Sequence, residues 1–390
     1  MKDAIYNYDR AKSRILDRIV SSNICEGNKK ALLDFHRECV IHGLSNARIV
    51  KYLDTLFRIA QWFDTTFQEV TKDDVADIVQ RIESNGYSEW TKRDYKIMLK
   101  IFFRWFRKSE SYPDEVRWIK STAKTRNKLP EEILSPEEIM RMVDAADNLR
   151  DKAFVLVLYE SGCRIGELLT LQLKHVQFDS FGAVLIVNGK TGQRRVRVIL
   201  SAPKLSQWVE NHPLRSNPDA ALWVTIGTRR RNTVLTYPTA KDTLRNLAEK
   251  CGIGKRVHPH LFRHSRATHL ANYLTEAQMK QYFGWVQASD MASVYVHLSG
   301  RDVDNALFKL NGMQVTEDRT GQELKPLVCP RCRSRNSPDA KFCINCGLCL
   351  DARTAVQIDV AREKADRLIT ELVEKPEVLN SLLRAVANTN

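Results

Sequence analysis

The spacing of apolar residues separates an all-helical first part of the chain from a mixed second part. Up to residue 118, apolar side chains recur every three or four positions, which is the period of one helix face. This pattern predicts four helices, over residues 29–42, 46–63, 72–84 and 88–108. We therefore expect residues 1–118 to fold as a helical domain.

The last of these helices carries both aromatic and basic residues. The aromatic residues follow the helical period and are assigned to the core of the domain: Trp90, Tyr95, Phe102, Phe103 and Trp105. The basic residues form either a solvated surface or a set of contacts to the backbone of a polyanion. We favour the contacts, and the candidates are Lys92, Arg93, Lys96, Lys100 and Arg104.

Residues 135–313 mix helical periods with one alternating stretch. Alternation over 183–188 and 194–200 predicts two strands, joined by a glycine-flanked turn that holds Lys190. A final apolar stripe predicts a C-terminal helix within 351–384. The expected fold class is therefore mainly α with a small antiparallel β-sheet (α+β).

The charge balance points to a polyanionic partner. The net charge is +14, and an excess of this size favours nucleic acid over the alternative that the charge serves solubility alone. A basic linker over 119–134 joins the two parts, and its candidate contacts are Lys124, Arg126 and Lys128. The apolar runs are too short to cross a bilayer and the first residues lack a signal stretch, so we expect a cytoplasmic protein with no membrane partner.

Five of the nine cysteines are concentrated in residues 329–349. Two Cys-x-x-Cys pairs separated by ten residues favour a structural zinc site over disulfides or free thiols. The four expected ligands are Cys329, Cys332, Cys343 and Cys346, with Cys349 as a spare. This segment resembles a zinc ribbon, and both DNA and protein remain open as its contact.

The stretch HPHLFRHSRATHL at 258–270 predicts a helix that begins at Pro259 with His258 as its cap. His260, Arg263 and His264 then share one helix face. A metal between the two histidines is disfavoured, because the cation of Arg263 would lie beside it. A histidine and an arginine one turn apart suit a phosphate better, so His264 is assigned a structural role and the other two an active one.

Three further positions suit phosphate chemistry. Arg164 lies at the start of a helix, where free backbone amides attract anions, and Glu167 either holds it or caps the helix. Lys190 lies on the hairpin turn, but Val184 stands where a nucleotide-binding P-loop needs glycine, so no nucleotide is expected. Tyr295 lies in a short helix.

The order and spacing of these motifs across residues 135–312 resemble those of the tyrosine recombinase (phage integrase, Xer-type) family. The resemblance rests on Arg164 in SGCRIGELL, Lys190 on a hairpin, His260 and Arg263 in PHLFRHSRATHL, and Tyr295 in SVYVHLSG. The first domain resembles the core-binding domain of that family. The phrase VYVHLSGRDVDNALFKLNG, followed by cysteines, is similar to archaeal members, often integrases of viruses or plasmids.

The resemblance implies a role for each matched residue. Tyr295 would attack a DNA phosphodiester and leave a 3′-phosphotyrosyl bond. The remaining roles are charge neutralisation by Arg164 and Arg263, acid catalysis by Lys190, assistance to the tyrosine proton by His260, and support of Arg164 by Glu167. Trp285 stands where many members have histidine and would donate its N–H to the phosphate. Tyr282 is a rival nucleophile on the wrong helix.

The resemblance also implies an organisation and its partners. Double-stranded DNA would lie in a clamp, with a tetramer assembling on paired sites and catalysis needing neither ATP nor a metal. Arg194 and Arg195, behind the hairpin tip, would contact the DNA. The expected parts are a core-binding (SAM-like) DNA-binding domain at 1–118, a linker at 119–134, a catalytic domain at 135–313, a ribbon at 326–350 and a helical tail at 351–390. The alternatives are a type IB topoisomerase and an inactive zinc-containing DNA-binding regulator.

Overall fold

The structure, a computed structural model, describes residues 5–122, 133–189, 192–227, 231–292, 295 and 326–373. It forms two compact units, Met1–Leu129 and Pro130–Asn390. The predictions for Lys124, Arg126, Lys128 and Lys190 lie outside the described residues. The division into five parts stays a prediction.

The first unit is helical, as its apolar period predicts. Its elements are α1 Tyr8–Val20, α2 Glu26–Ile41, α3 Asn46–Ala60, α4 Lys72–Ser84, α5 Glu89–Phe106 and the short α6 Asp114–Arg117. Phe67, Phe102 and Phe103 are fully buried at its centre. The rings of Phe67 and Phe102 meet edge to face with centroids 4.8 Å apart.

The aromatic assignment is wrong for one residue of α5. Tyr95 is buried with the two phenylalanines, but Trp90 is 54% exposed. Trp90 belongs to the first turn of the helix, which Ser88 caps, and the guanidinium of Arg93 lies 5.5 Å from its ring centroid. The helical period alone does not distinguish this end from the core.

Several of the basic residues predicted on α5 engage groups of their own unit. Lys92 pairs with Glu83 at 3.4 Å, and Lys96 pairs with the same carboxylate. Lys100 donates to the Ile119 carbonyl at 3.2 Å. Arg104 lies over the ring of Tyr112, 5.4 Å from its centroid. Part of the positive charge of this face is therefore compensated internally.

The second unit places helices around a three-stranded antiparallel sheet. Its helices are α7 Pro136–Ala145, α8 Leu149–Ser161, α9 Ile165–Leu169, α10 Ala202–Glu210, α11 Tyr237–Lys250, α12 Pro259–Leu270 and α13 Glu276–Phe283. The sheet consists of β1 Val176–Asp179, β2 Gly182–Gly189 and β3 Gly192–Val198, in the order β1-β2-β3. The predicted fold class, mainly α with a small antiparallel sheet, is confirmed.

Helix α8 is the central element of this unit. Every residue from Ala153 to Tyr159 is buried, and α8 packs against α7, α10 and α12. Gly162 ends the helix in the left-handed region with φ 55°. A Cβ at Gly162 would lie 2.4 Å from the Phe283 ring, so both the turn and the packing against α13 require glycine.

After residue 325 a short hairpin precedes the last described helix. β4 Leu327–Val328 pairs with β5 Arg335–Asn336, and α14 covers Ala352–Val373. Asp339 binds Lys204 of α10 at 3.1 Å, and both side chains are largely buried, so this segment packs against α10 of its own unit. In the described part of the chain, no helix is both long and apolar enough to cross a membrane.

Candidate active site

Three segments of the second unit meet at one cavity of about 350 Å³. The side chains that line it include those of Arg164, His260, Arg263, His264, Trp285 and Tyr295. The helices α8, α12 and α13 set the positions of these groups, because each group lies on or directly after one of them or on the segment that follows α13. Residues far apart in the chain therefore form one site.

Arg263 is the most buried cation of the site. It is 3% exposed and donates to the carbonyl of Gly162 at 2.8 Å and to that of Phe283 at 2.7 Å. Burial, together with the charge of Arg164, lowers the pKa of Arg263 to about 10, which still leaves it charged at neutral pH. A guanidinium has five N–H donors, so two backbone bonds leave capacity for an anion.

Arg164 is held by a carboxylate at the start of α9. Its Nη1 lies 2.9 Å from Glu167 Oε1, and its main-chain N–H donates to Oε2 at 3.0 Å. Glu167 thus serves both functions that its spacing allowed, since it caps the helix and holds the arginine. Nη2 of Arg164 donates to the Gly284 carbonyl at 3.3 Å, which aims the guanidinium at the segment that follows α13.

Arg194, predicted as a DNA contact, instead points into the protein. Its Nη2 lies 2.7 Å from Glu167 Oε2, and its Nε donates to the Tyr282 carbonyl at 3.1 Å. Period-two alternation was the missed signal, because Arg194 pairs in register with Val187 and shares the face of buried Val196. Arg195, on the opposite face, is exposed and stays a predicted DNA contact.

Glu167 therefore compensates two arginines. Burial alone would raise the pKa of this carboxyl, yet hydrogen bonds and charge from Arg194, with the bonds of Arg164, keep it below its usual value. Gly284 lies against the Glu167–Arg194 ion pair and has a φ of 61°. A Cβ at this position would lie 2.8 Å from Arg194 Nη1. No other residue type fits this position without moving the arginine.

Tyr295 has its hydroxyl inside the cavity. The side chain is buried, its Oη is hydrogen-bonded to Nδ1 of His264, and its ring stacks on Trp285 with centroids 5.7 Å apart and planes 3° from parallel. Burial raises the pKa of Tyr295 to about 12, against an opposing effect of Arg263. The rival Tyr282 donates its hydroxyl to the Glu160 carbonyl at 2.7 Å and does not line the cavity.

The histidines of α12 divide differently from the prediction. His258 is the cap, as predicted, and its Nδ1 accepts the Leu261 N–H at 3.2 Å. His260 is exposed at the cavity. His264, which was assigned a structural role, lines the cavity and is hydrogen-bonded to the hydroxyl of Tyr295. Its spacing of four residues from His260 was the available signal.

The hairpin that carries position 190 begins beside the site. Gly189 and Gly192 pair at the end of the β2–β3 ladder. A Cβ at Gly189 would lie 2.4 Å from Glu167 Oε1, so this strand end lies directly against the carboxylate. The predicted hairpin is therefore present, with its base at the active-site carboxylate.

The four cysteines predicted as ligands lie together. One sulfur from each of Cys329, Cys332, Cys343 and Cys346 lies within 4.8 Å of the others. A tetrahedral zinc with Zn–S bonds of about 2.3 Å requires sulfurs about 3.8 Å apart, and the closest pairs here are 3.6 and 3.4 Å. Cys349 is not in this group, and its sulfur donates to the Asp351 carbonyl at 3.3 Å.

The two Cys-x-x-Cys pairs, here called knuckles, have the same backbone turn. The N–H of Arg333 donates to the Cys329 carbonyl and that of Gly347 to the Cys343 carbonyl, each at 2.9 Å. Arg333 and Gly347 both have positive φ, 59° and 69°. The two Cys-x-x-Cys pairs are thus folded alike, with each pair facing the other.

Comparison with known proteins shows related sequences. Residues 132–301 match the phage integrase family. The chain is 28% identical to the tyrosine recombinase XerA of Pyrococcus horikoshii over 256 residues, which cover 65% of this chain and 81% of the relative. It is 24% identical to the tyrosine recombinase XerD of Bifidobacterium longum, covering 67% of this chain and 89% of the relative.

Solved structures share the fold. One is the XerH site-specific recombinase bound to a palindromic difH substrate in a post-cleavage complex, with a TM-score of 0.56, 18% identity, and coverage of 80% of this chain and 98% of that one. Another is a lambda integrase dimer bound to a COC′ core site, with a TM-score of 0.56, 17% identity, and coverage of 70% and 78%.

Proposed function

We propose, from the match of residues 132–301 to the phage integrase family, that the chain is a tyrosine recombinase: a site-specific recombinase or integrase that cuts and rejoins duplex DNA. The observation that carries the proposal is the convergence of Tyr295, Arg164 and Arg263 on one cavity. A nucleophilic hydroxyl beside two fixed cations is the arrangement that transfer of a phosphoryl group to tyrosine requires.

In the proposed reaction a DNA phosphodiester enters the cavity with its non-bridging oxygens toward the two arginines. Their positions are fixed by Glu167 and by the main chain, so they stabilise the charge of the transition state without rearranging. Tyr295 Oη attacks phosphorus and the bond to the 5′-oxygen breaks. The 3′-phosphotyrosyl ester conserves the energy of the broken bond, so rejoining needs no ATP.

Three further residues complete the proposed site. Lys190 protonates the departing 5′-oxygen, and the hairpin base beside Glu167 supports this role. His260, exposed at the cavity, is placed to meet the substrate. Trp285 donates its N–H to the phosphate and stacks on the ring of Tyr295. The catalytic step requires no metal, because the arginines supply the positive charge.

The proposed partner is double-stranded DNA, on which the protein assembles as a tetramer at paired sites. The net charge of +14 supports a polyanionic partner. The complexes of XerH with difH and of lambda integrase with its core site are DNA-bound relatives of this fold. Among the proposed DNA contacts, exposed Arg195 and the linker residues Lys124, Arg126 and Lys128 carry the electrostatic part. A cytoplasmic location stays a prediction.

We also propose that Cys329, Cys332, Cys343 and Cys346 hold one structural zinc ion. This proposal is supported by the short distances between the four sulfurs and by the matching backbone turns of the two knuckles. None of the four lines the catalytic cavity, so the ion would stabilise the ribbon and take no part in strand transfer.

The test uses a pool of nicked duplexes with a randomised core, incubated with zinc-loaded protein in buffer without other divalent metals. Wild type should form a protein–DNA adduct that survives denaturing electrophoresis, and sequencing of the trapped duplexes gives the target site. Tyr295→Phe should form none. Tyr282→Phe is the matched control and should form the adduct.

Other outcomes would favour the alternatives. DNA binding by wild type without any adduct would support the regulator. Relaxation of supercoiled DNA with no joining between two sites would support the topoisomerase. An adduct that persists in Tyr295→Phe would show that the nucleophile is a different residue.

A further inference from the structure

We propose that His264 is the group that accepts the proton of Tyr295 as the tyrosine attacks phosphorus. The proposal rests on the proposed function and assigns a catalytic residue within the same site. It differs from the family-based assignment, in which His260 assists the tyrosine proton. The two histidines lie one turn apart on α12 and are distinguished by what each of them touches.

The contact between His264 and Tyr295 carries the proposal. Nδ1 of His264 and Oη of Tyr295 are hydrogen-bonded, and Oη is the atom that becomes bonded to phosphorus. For Nδ1 to accept from a hydroxyl, the ring proton of a neutral histidine must lie on Nε2. In this tautomer the unprotonated Nδ1 lies at the reacting oxygen, where it can accept the proton.

The burial of the two histidines supports a division of labour. His260 is exposed, whereas His264 is half-buried, and their ring centroids are 4.8 Å apart. His264 is thus the inner histidine and lies against the nucleophile. His260 is the outer one and is accessible to the substrate that enters the cavity.

The nucleophile needs an acceptor of this kind. Burial keeps the hydroxyl of Tyr295 protonated, with its pKa raised to about 12. An unperturbed histidine has a pKa of about 6.5 and is therefore a competent base at neutral pH. The stacked ring of Trp285 covers one face of the tyrosine and restricts the directions in which the hydroxyl can point.

The charged groups around the pair mark where the substrate would bind. Among the residues that the structure describes, the charged and titratable groups that line the cavity around the pair are Arg263 and His260 of α12 and Arg164 at the start of α9. The two arginines lie where the non-bridging oxygens of a phosphodiester would bind, so the substrate would enter directly beside the His264–Tyr295 pair.

The step balances without a further reactant. The electron pair of the O–H bond of Tyr295 stays on the oxygen as Oη bonds to phosphorus, and the proton moves to Nδ1 of His264. The bond from phosphorus to the 5′-oxygen breaks, and that oxygen takes its proton from the general acid assigned to Lys190. In rejoining, a 5′-hydroxyl attacks phosphorus and gives its proton back to the group assigned to Lys190. The bond from phosphorus to Oη breaks, and His264 returns its proton to Oη.

The test measures the single-turnover rate at which the full chain forms the adduct. The substrate is a nicked duplex that wild type trapped from the randomised pool, and the rate is measured at pH values below and above the usual histidine pKa of about 6.5. In His264→Asn the amide oxygen can replace Nδ1 as an acceptor of the hydrogen bond but cannot take the proton. We expect its rate to fall about 10²–10⁴-fold. In wild type the rate should fall at low pH as the base becomes protonated, and we call this fall the acidic limb of the pH–rate profile. We expect it to disappear in His264→Asn, while duplex affinity stays unchanged.

The matched comparison is His260→Gln, which should keep the acidic limb. If His264→Asn keeps the wild-type rate and profile, the residue only positions the tyrosine and the proposal is overturned. Loss of the limb in His260→Gln alone would transfer the role to His260. Absence of an adduct with wild type would overturn the proposed function itself, which is a separate outcome.

A second measurement does not depend on how the variants fold. In wild-type protein without DNA, labelled with ¹⁵N histidine, nitrogen chemical shifts report the tautomer of His264. We expect the proton on Nε2 and an unprotonated Nδ1 that accepts a hydrogen bond. A proton found on Nδ1 of the neutral ring would overturn the proposal.

Discussion

The carboxylate of Glu167 binds the guanidinium of Arg194 at 2.7 Å inside the catalytic unit. The same carboxylate binds Arg164 at 2.9 Å. One buried anion therefore fixes a cation of the active site and a cation of the β-hairpin. The relative position of α9 and β3 depends on this group.

Glu167→Gln should lower the free energy of unfolding by about 3 kcal/mol at neutral pH, because it leaves a buried arginine uncompensated. The folded-state pKa of Glu167 is lowered, so its contribution is fully present above the unfolded value of about 4.3 and is lost as pH falls through the folded value. The difference from wild type should therefore shrink at acid pH. Urea unfolding at several pH values measures it.

Asp242→Asn is the control for this prediction. Asp242 pairs with Arg245 at the surface, where both side chains are more than half exposed, and its loss should change stability little. Equal destabilisation by the two substitutions would contradict the special role of Glu167.

Arg194→Gln and Arg195→Gln should impair different steps although the two residues are adjacent. Loss of Arg194 should displace the site and lower the rate of adduct formation about 10²-fold, with little change in DNA affinity. Loss of exposed Arg195 should weaken binding and reduce the slope of log affinity against log salt by about 0.9. Single-turnover rates and salt titrations distinguish them. A salt-dependent binding defect in Arg194→Gln would contradict its inward orientation.

Trp285→Phe should retain the aromatic stack on Tyr295 and lose the indole N–H. We expect its rate of adduct formation to fall about tenfold, the equivalent of one hydrogen bond. Trp285→Ala removes the stack as well and should fall about 10²-fold. Single-turnover rates of the two variants test this, and identical rates would show that the stack contributes nothing.

Purified protein should contain one zinc ion per chain, as measured by atomic absorption. Cys343→Ser should lose the ion, since four thiolates complete the tetrahedral site. Cys349→Ser should keep it, because that sulfur lies outside the group. Equal loss in both variants would mean that Cys349 is a ligand. Chelation should unfold the ribbon, because metal binding and folding are coupled in such sites.

The sequence predicted elements best where one physical signal was dominant. Apolar periodicity located α4 at Lys72–Ser84 with its observed bounds, and alternation with flanking glycines located the β2–β3 hairpin. The predicted resemblance to tyrosine recombinases agrees with the match of residues 132–301 to the phage integrase family. The spacing of the cysteines anticipated four sulfurs that meet in space.

The sequence failed where the environment of a side chain depends on distant segments. Arg194 and Arg195 are identical residues, and only the burial of one strand face separates their roles. The sequence around His264 gave no sign of its partner, because Tyr295 lies 31 residues further along the chain and meets it only in the folded structure. Trp90 follows the helical period but lies in the first turn of its helix and is 54% exposed.

Arg263 binds its carbonyl partners at the C-terminal ends of two helices, since Gly162 directly follows α8 and Phe283 is the last residue of α13. The aligned peptide dipoles of a helix place about half a negative charge at that end. Within the described segments, no carboxylate forms an ion pair with Arg263. Two helix dipoles therefore stabilise a buried cation that has no carboxylate bonded to it, which leaves its remaining N–H donors for the proposed phosphate.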